Sequence, residues 1–452
     1  MINNMNDEAL LSVVAEWLEE TELPELVPRQ IPELNLENLR RVLAIVGPRR
    51  AGKTFLMYQL ISALERGGRA SRREILFVDL EDYRLTGFST GDVDSLLATF
   101  QRLAGGPPRF LFFDEVQRLP NWSRVLRTLH NQGRYSIVAS GSNSKLLHPE
   151  IATELRGRYE DLLLLPFSFG EYLRLREIEV TPATFFTTAR GRLVAAFEEY
   201  LRSGGFPEVL LARTPAERRK LLQNYFRTIF YRDVVERHNI RARTILEALM
   251  GELLESTGCL FSVSRFEKSL KANGLPGSKR TISNYLQYLQ EAFFLIAHEK
   301  FSHSPRKRLM NPKKVYLVDT GFATLGRSFS ENRGRILENL VAIELHRREE
   351  EVTYFKGRHE CDFILSRERR PAEAIQVCWE LSNRNEKREL AGLTEAARTL
   401  GVEKLLILTF DQRDTVEFAG AAARVLPVWE WLLTPAGDIR IRARSDDSDD
   451  SA

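Results

Sequence analysis

An apolar run, Val42-Leu-Ala-Ile-Val46, breaks at Gly47-Pro48-Arg49-Arg50-Ala51-Gly52-Lys53-Thr54 and passes at once into the helical pattern Phe55-Leu-Met-Tyr-Gln-Leu60. A strand, a loop bounded by glycines and a helix in this order make a phosphate-binding loop. Gly47 and Gly52 let the main chain close around an anion, and the loop N–H groups and the helix N-terminus point toward it. Lys53 is predicted to reach the β and γ phosphates of a nucleotide, and the Thr54 hydroxyl to hold Mg²⁺.

A second run, Phe110-Leu-Phe-Phe113, ends in Asp114-Glu115. It reads as a buried parallel strand that delivers two carboxylates to its C-terminal edge, where open α/β sheets bind ligands. Asp114 is expected to complete the Mg²⁺ shell, and Glu115 to orient and deprotonate the attacking water. Ser136-Ile-Val-Ala139 leads into Ser140-Gly-Ser142-Asn143-Ser144 and is predicted to lie between these two strands. Ser142 or Asn143 is thereby a candidate sensor of the γ-phosphate; a plain polar turn is the alternative. Arg156 and Arg158 are candidates for a guanidinium supplied across a subunit interface, or form a solvated basic turn.

Composition excludes several classes. No apolar stretch reaches the roughly 18 residues of a span, and Met1-Ile-Asn-Asn-Met-Asn-Asp-Glu8 lacks a secretory pattern. A cytoplasmic protein without a membrane partner is expected. Cys259, Cys361 and Cys378 lie too far apart for a Cys-x-x-Cys zinc site or a disulfide framework. A net charge of +3 is too small to argue nucleic-acid binding by itself, and Ser445–Ala452 is an acidic segment expected to be disordered.

Apolar runs at 42–46, 75–78, 110–113, 136–139 and 162–165 alternate with helical patterns, which predicts a doubly wound α/β core over residues 1–167. Residues 168–240 read as a helical lid interrupted at Ser203-Gly-Gly-Phe-Pro207. Residues 241–310 contain a helix, a Gly274-Leu-Pro-Gly277 turn and a second helix from Lys279, the pattern of a winged helix-turn-helix. Residues 311–435 read as a separate α/β domain, and 436–452 as a C-terminal segment with the acidic tail.

The series of phosphate loop, Asp114-Glu115, Gly141-Ser-Asn143, Gly157-Arg158, Leu165-Pro-Phe-Ser-Phe-Gly-Glu-Tyr-Leu173, Gly204-Gly-Phe-Pro207 and Tyr231-Arg-Asp-Val-Val-Glu-Arg237 resembles one family. It is similar to the prokaryotic, largely archaeal, AAA-type ATPases that carry a winged helix and a C-terminal PD-(D/E)xK nuclease-like domain. The resemblance spans roughly residues 27–433. It implies an ASCE-type core acting on ATP with Mg²⁺ through Lys53, Thr54, Asp114 and Glu115, with Arg158 as the finger of a homo-oligomer.

For the C-terminal domain, the resemblance aligns Glu338, Asp362 and Gln376 with a metal-binding acid set, and Cys378 with a lysine. Gln376 can offer only a neutral oxygen, and Cys378 cannot replace an ammonium; Lys356 is the candidate substitute. A degenerate nuclease-like domain with a weak metal site is expected.

Lys279 and Arg280 open the second helix, and Arg306-Lys307-Arg308 and Lys313-Lys314 follow the next strand, a layout that fits a recognition helix with flanking phosphate contacts. The expected function is an ATPase that couples nucleotide state to DNA binding or processing. The alternative is an ATP-dependent switch that docks a protein partner.

Overall fold

The computed structural model describes residues 7–19, 22–39, 41–143, 159–326, 333–418 and 420–434. Five strands form the first sheet: β1 (Val42–Val46), β2 (Ile75–Asp79), β3 (Phe110–Asp114), β4 (Ser136–Gly141) and β5 (Tyr159–Leu163). All are parallel, in the order β2-β3-β4-β1-β5, so β4 lies between the phosphate-loop strand and the acid-bearing strand. β1 and β3 are buried along their whole length, which is why they read as unbroken apolar runs. β5 pairs only with β1 and is partly exposed; it starts before the apolar run expected at 162–165 and ends at Leu163. Leu164 then leaves the strand with its N–H on the Val46 carbonyl at 2.7 Å. The sequence pattern did not reveal the helix Asp7–Glu19, whose Trp17 indole donates to the Ile75 carbonyl at 2.6 Å.

Helices Phe169–Leu175, Ala189–Ser203, Pro207–Leu211 and Pro215–Thr228 follow, and the last continues as a π-helical stretch, Ile229–Glu236. The break at Gly204-Gly205 has a steric cause. Gly204 has φ +73°, and a Cβ there would lie 1.8 Å from Asp319 Oδ1. Its neighbour Gly205 donates its N–H to Asp319 Oδ2 at 2.7 Å.

The second sheet has nine strands in the order β13-β14-β12-β11-β10-β9-β7-β8-β6. They are β6 (Cys259–Phe261), β7 (Leu295–Lys300), β8 (Lys313–Leu317), β9 (Glu351–Lys356), β10 (Glu360–Arg367), β11 (Arg370–Val377), β12 (Lys404–Thr409), β13 (Asp414–Phe418) and β14 (Ala421–Pro427). β7 pairs antiparallel with β8 over Leu295–His298 and parallel with β9 over Glu299–Lys300. The boundary expected at 310/311 therefore falls inside one nine-stranded mixed sheet, to which β6 and β7 also belong. One apolar core runs from Leu165 through the helices that follow and the helix pair to Trp431, the parallel sheet has its own, and a third, from Phe355 to Val425, lies within the C-terminal part. Helices Val263–Ala272 and Lys279–Glu291 form the expected pair. Arg306, Lys307 and Arg308 lie on a short helix, Pro305–Met310. The segment 436–452 lies outside the described residues. Among those described, no helix is long and apolar enough to cross a membrane.

Candidate nucleotide site and the acidic cleft

The phosphate loop is pressed against the segment that follows β5. A Cβ on Gly47 would lie 2.0 Å from the Leu164 carbonyl oxygen, and Gly52 sits at φ +94° as the residue before helix Lys53–Arg66. Lys53 Nζ donates to the carbonyls of Gly47 (3.2 Å) and Pro48 (3.1 Å) and lies 3.6 Å from Glu115 Oε1. The Thr54 hydroxyl donates to Asp114 Oδ2 at 2.5 Å, and Ser140 Oγ donates to Asp114 Oδ1. Glu115, in a left-handed conformation at φ 50°, donates its N–H to Ser140 Oγ at 3.0 Å and accepts from the Gln117 amide. Ser142 and Asn143 are buried at the tip of β4. Ser144, Arg156 and Arg158 lie outside the described residues.

The two carboxylates differ in their electrostatics. Burial pushes the Asp114 carboxyl up, against hydrogen bonds from Ser140 and Thr54. Burial acts on Glu115 in the same sense, but Lys53, Arg49 and hydrogen bonds from Gln117 and Ser142 together outweigh it and hold Glu115 below the usual carboxylate range. The hydroxyl of Thr54 and the carboxylate of Asp114, in contact at the mouth of the loop, are a hard-oxygen pair suited to Mg²⁺. They line a cleft of about 740 Å³, within the size range of small-molecule sites, together with Arg49, Arg50, Arg232, Val27, Pro207 and Tyr225.

Two arginines brace this cleft. Arg29 is 6% exposed; its Nη1 donates to the Ala51 carbonyl at 2.7 Å, its Nη2 to the Leu165 carbonyl at 2.7 Å, and its Nε pairs with Glu171 at 2.9 Å. It thus ties the loop to the first lid helix. Arg49, named only as a loop position, pairs through Nε with Asp233 of the π-helical stretch at 2.9 Å. No local pattern announces either pairing, because each joins residues far apart in sequence.

A second cluster lies between helix Arg333–Arg347 and strands β8, β10 and β11. Lys314 Nζ lies 2.9 Å from Glu338 Oε1, 2.8 Å from Glu360 Oε1 and 2.7 Å from Asp362 Oδ1, with its side chain 1% exposed. Burial works against its charge, but Asp362 and Glu338 outweigh it and raise its pKa well above the ordinary value. Lys314 was grouped with the surface basic residues and is corrected here: strand alternation turns it inward with Tyr316. Lys356, the expected substitute for the missing lysine, lies 3.3 Å from Glu360 Oε2. Gln376 accepts from the Asp362 N–H at 3.3 Å and donates to Glu389 at 2.8 Å, and Cys378 is buried. Lys279, Arg280, Arg306 and Lys307 are exposed and Arg308 partly so.

Residues 39–173 match an AAA domain, and residues 194–331 a domain of unknown function, DUF8612. The chain is 32% identical over 446 residues to the uncharacterized protein MJ1544 of Methanocaldococcus jannaschii, covering 96% of this chain and 97% of that one. The chain belongs to the MJ1544 family. An uncharacterized protein of Haemophilus influenzae is 28% identical over 397 residues, covering 87% of this chain and 94% of the relative. Among solved structures, the Walker-type ATPase PABY2304 of Pyrococcus abyssi aligns with a TM-score of 0.40 and 14% identity, over 71% of this chain and 95% of that one. This MJ1544-family chain carries an AAA-type P-loop domain over residues 39–173.

Proposed function

We propose that this chain is a Mg²⁺-dependent ATPase whose nucleotide site governs a DNA-contacting half. The observation that carries the reading is the 3.6 Å approach of Lys53 to Glu115 beside the Thr54–Asp114 contact. The cation for the phosphates, the oxygens for the metal and the carboxylate for water then face one cleft. Thr54 and Asp114 would hold Mg²⁺, which when bound would neutralise charge on the nucleotide's phosphates. Lys53 exchanges the carbonyls of Gly47 and Pro48 for phosphate oxygens. Glu115, kept ionised by Lys53 and Arg49, orients the attacking water and accepts its proton. Ser142 and Asn143 stand at the strand tip between loop and acids, suited to sense the γ-phosphate. Arg158 acts on a neighbouring subunit's nucleotide in a homo-oligomer.

Lys53→Ala should abolish nucleotide binding, whereas Glu115→Gln should keep ATP bound and lose about 100-fold or more in turnover. Hydrolysis at the wild-type rate by Glu115→Gln would refute the assignment. Mixing Arg158→Ala with Glu115→Gln subunits should restore partial activity; a fully active monomer removes the finger from the mechanism.

The exposed Lys279 and Arg280 at the N-terminus of helix Lys279–Glu291, with Arg306, Lys307 and Arg308 nearby in sequence, support phosphate contact on DNA. Affinity should fall steeply with salt as counterions are released, and fall further when Lys279 and Arg280 are changed to Glu. Binding indifferent to both leaves the protein-docking switch as the better reading.

A further inference from the structure

The acid set Glu338, Asp362 and Gln376 aligns with the metal ligands of nuclease-like domains, but four of its five oxygens are engaged otherwise. Asp362 Oδ1 accepts from Lys314 at 2.7 Å, and Oδ2 accepts from the Val377 N–H at 2.9 Å. Glu338 Oε1 takes both Lys314 at 2.9 Å and the Tyr316 hydroxyl at 2.7 Å. The Gln376 carbonyl oxygen is turned to the Asp362 N–H, and its amide group to Glu389. Glu360, from the same strand as Asp362, supplies the third carboxylate around the ammonium. An ammonium carries three donors, and each here meets the carboxylate of a different residue.

A divalent ion of the Mg²⁺ class needs near-octahedral oxygen coordination at about 2.1 Å. It would have to share Glu338 and Asp362 with a positive charge already in hydrogen-bond contact with both. The lysine is also held in place by its strand. Asn339, on the helix that carries Glu338, accepts from the Leu317 N–H at 2.7 Å and donates to the Leu317 carbonyl at 2.9 Å. That pair of bonds fixes β8 against helix Arg333–Arg347, so Lys314 and Glu338 are positioned by one contact surface. The residues do not fit a metal centre.

We propose that the Lys314 ammonium is the resident cation of this cleft, neutralising Glu338, Glu360 and Asp362 where a divalent metal would otherwise stand, so that the domain takes no metal. The inference rests on the resemblance of this domain to metal-dependent nucleases and is independent of the ATPase reading. Its chemical consequence is that the cleft has no metal-activated water for phosphodiester hydrolysis.

The test is Mn²⁺ titration of the nucleotide-free full chain, followed by the electron paramagnetic resonance of free Mn²⁺. An Asp114→Asn background removes the phosphate-loop carboxylate. The protein with Lys314 intact should bind no stoichiometric Mn²⁺. Lys314→Ala, which opens space and leaves the carboxylates uncompensated, should bind it, and adding Asp362→Asn should abolish that binding. Stoichiometric Mn²⁺ binding by the Lys314 protein that is lost in Asp362→Asn would overturn the proposal, since lysine and metal would then coexist. Folded Lys314→Ala that binds no Mn²⁺ would also overturn it, since the ammonium would not be standing in for a metal. If Lys314→Ala does not fold, the pair with Lys314 intact, with and without Asp362→Asn, still decides.

Discussion

Arg49 Nε lies 2.9 Å from Asp233 Oδ1, joining the phosphate loop to the π-helical stretch of the lid. Burial of Arg49 disfavours its charge, yet Asp233, with Glu115 and Glu81, outweighs burial and raises its pKa. The pair is a charge-assisted contact between a residue that faces the nucleotide cleft and a helix that leads toward the helix pair beyond. Asp233→Asn keeps every phosphate-loop residue and removes the charge that aims Arg49. It should weaken nucleotide affinity about tenfold, in line with roughly 1.5–3 kcal/mol for a charged hydrogen bond. Faster amide exchange over residues 229–236 should accompany the loss; unchanged exchange and affinity would show that the loop and lid are not coupled here.

Arg29→Ala strips the Ala51 and Leu165 carbonyls of a donor and leaves Glu171 buried without its hydrogen-bonded guanidinium partner. Breaking a buried pair by removing one partner costs about 3–5 kcal/mol. Thermal unfolding should fall markedly, and nucleotide should restore less stability than in the wild type because the loop has lost its brace. The double variant Arg29→Met with Glu171→Leu, which buries no lone charge, should recover part of the melting temperature but little of the nucleotide affinity.

A methyl group at Gly205 would sit 2.3 Å from the Phe167 carbonyl oxygen, a backbone atom that cannot move aside cheaply. Gly205→Ala should therefore loosen the lid and the Asp319 contact together. Gly191, inside helix Ala189–Ser203, would bring a Cβ within 4 Å of nothing, so Gly191→Ala should stabilise by about 0.5–1 kcal/mol. Differential scanning calorimetry of the two alanine variants should show opposite shifts.

His298 is buried against Tyr316 and Phe363, and burial, with His346 and Lys314 adding to it, pushes its pKa down to about 3. Below the ordinary value of 6.5 the unfolded chain takes up a proton that the folded chain refuses. Stability then falls with acidification by at most about 1.4 kcal/mol per pH unit for this group, until pH approaches 3. His298→Phe should keep more of its neutral-pH melting temperature between pH 6.5 and 5. His346, pushed down to about 4 by burial, still titrates, so the acid loss should shrink rather than vanish. A variant as acid-sensitive as the wild type would show that His298 is not the group responsible.

The strands β1, β3 and β4, the phosphate loop and the Asp114-Glu115 edge could be read from the chain because their information is local. A strand buried on both faces must be apolar throughout, and a loop that wraps phosphate must carry glycines at set positions. Lys313-Lys314 shows the limit of such reading. As sequence it is a basic pair, yet Lys313 meets the partly exposed Glu299 while its neighbour Lys314 turns to the opposite side of β8, against the buried Glu338 and Asp362 and the half-buried Glu360. β8 is buried on both faces from Lys314 onward, and the carboxylates that meet Lys314 come from a helix and a strand later in the chain. Arg29 with Glu171, Arg49 with Asp233, and β7 with β9 are alike in this respect. Each is a contact between distant segments whose side chains carry no periodic signal of their partner, so only the packed chain decides that a charge is buried, paired or left for a ligand.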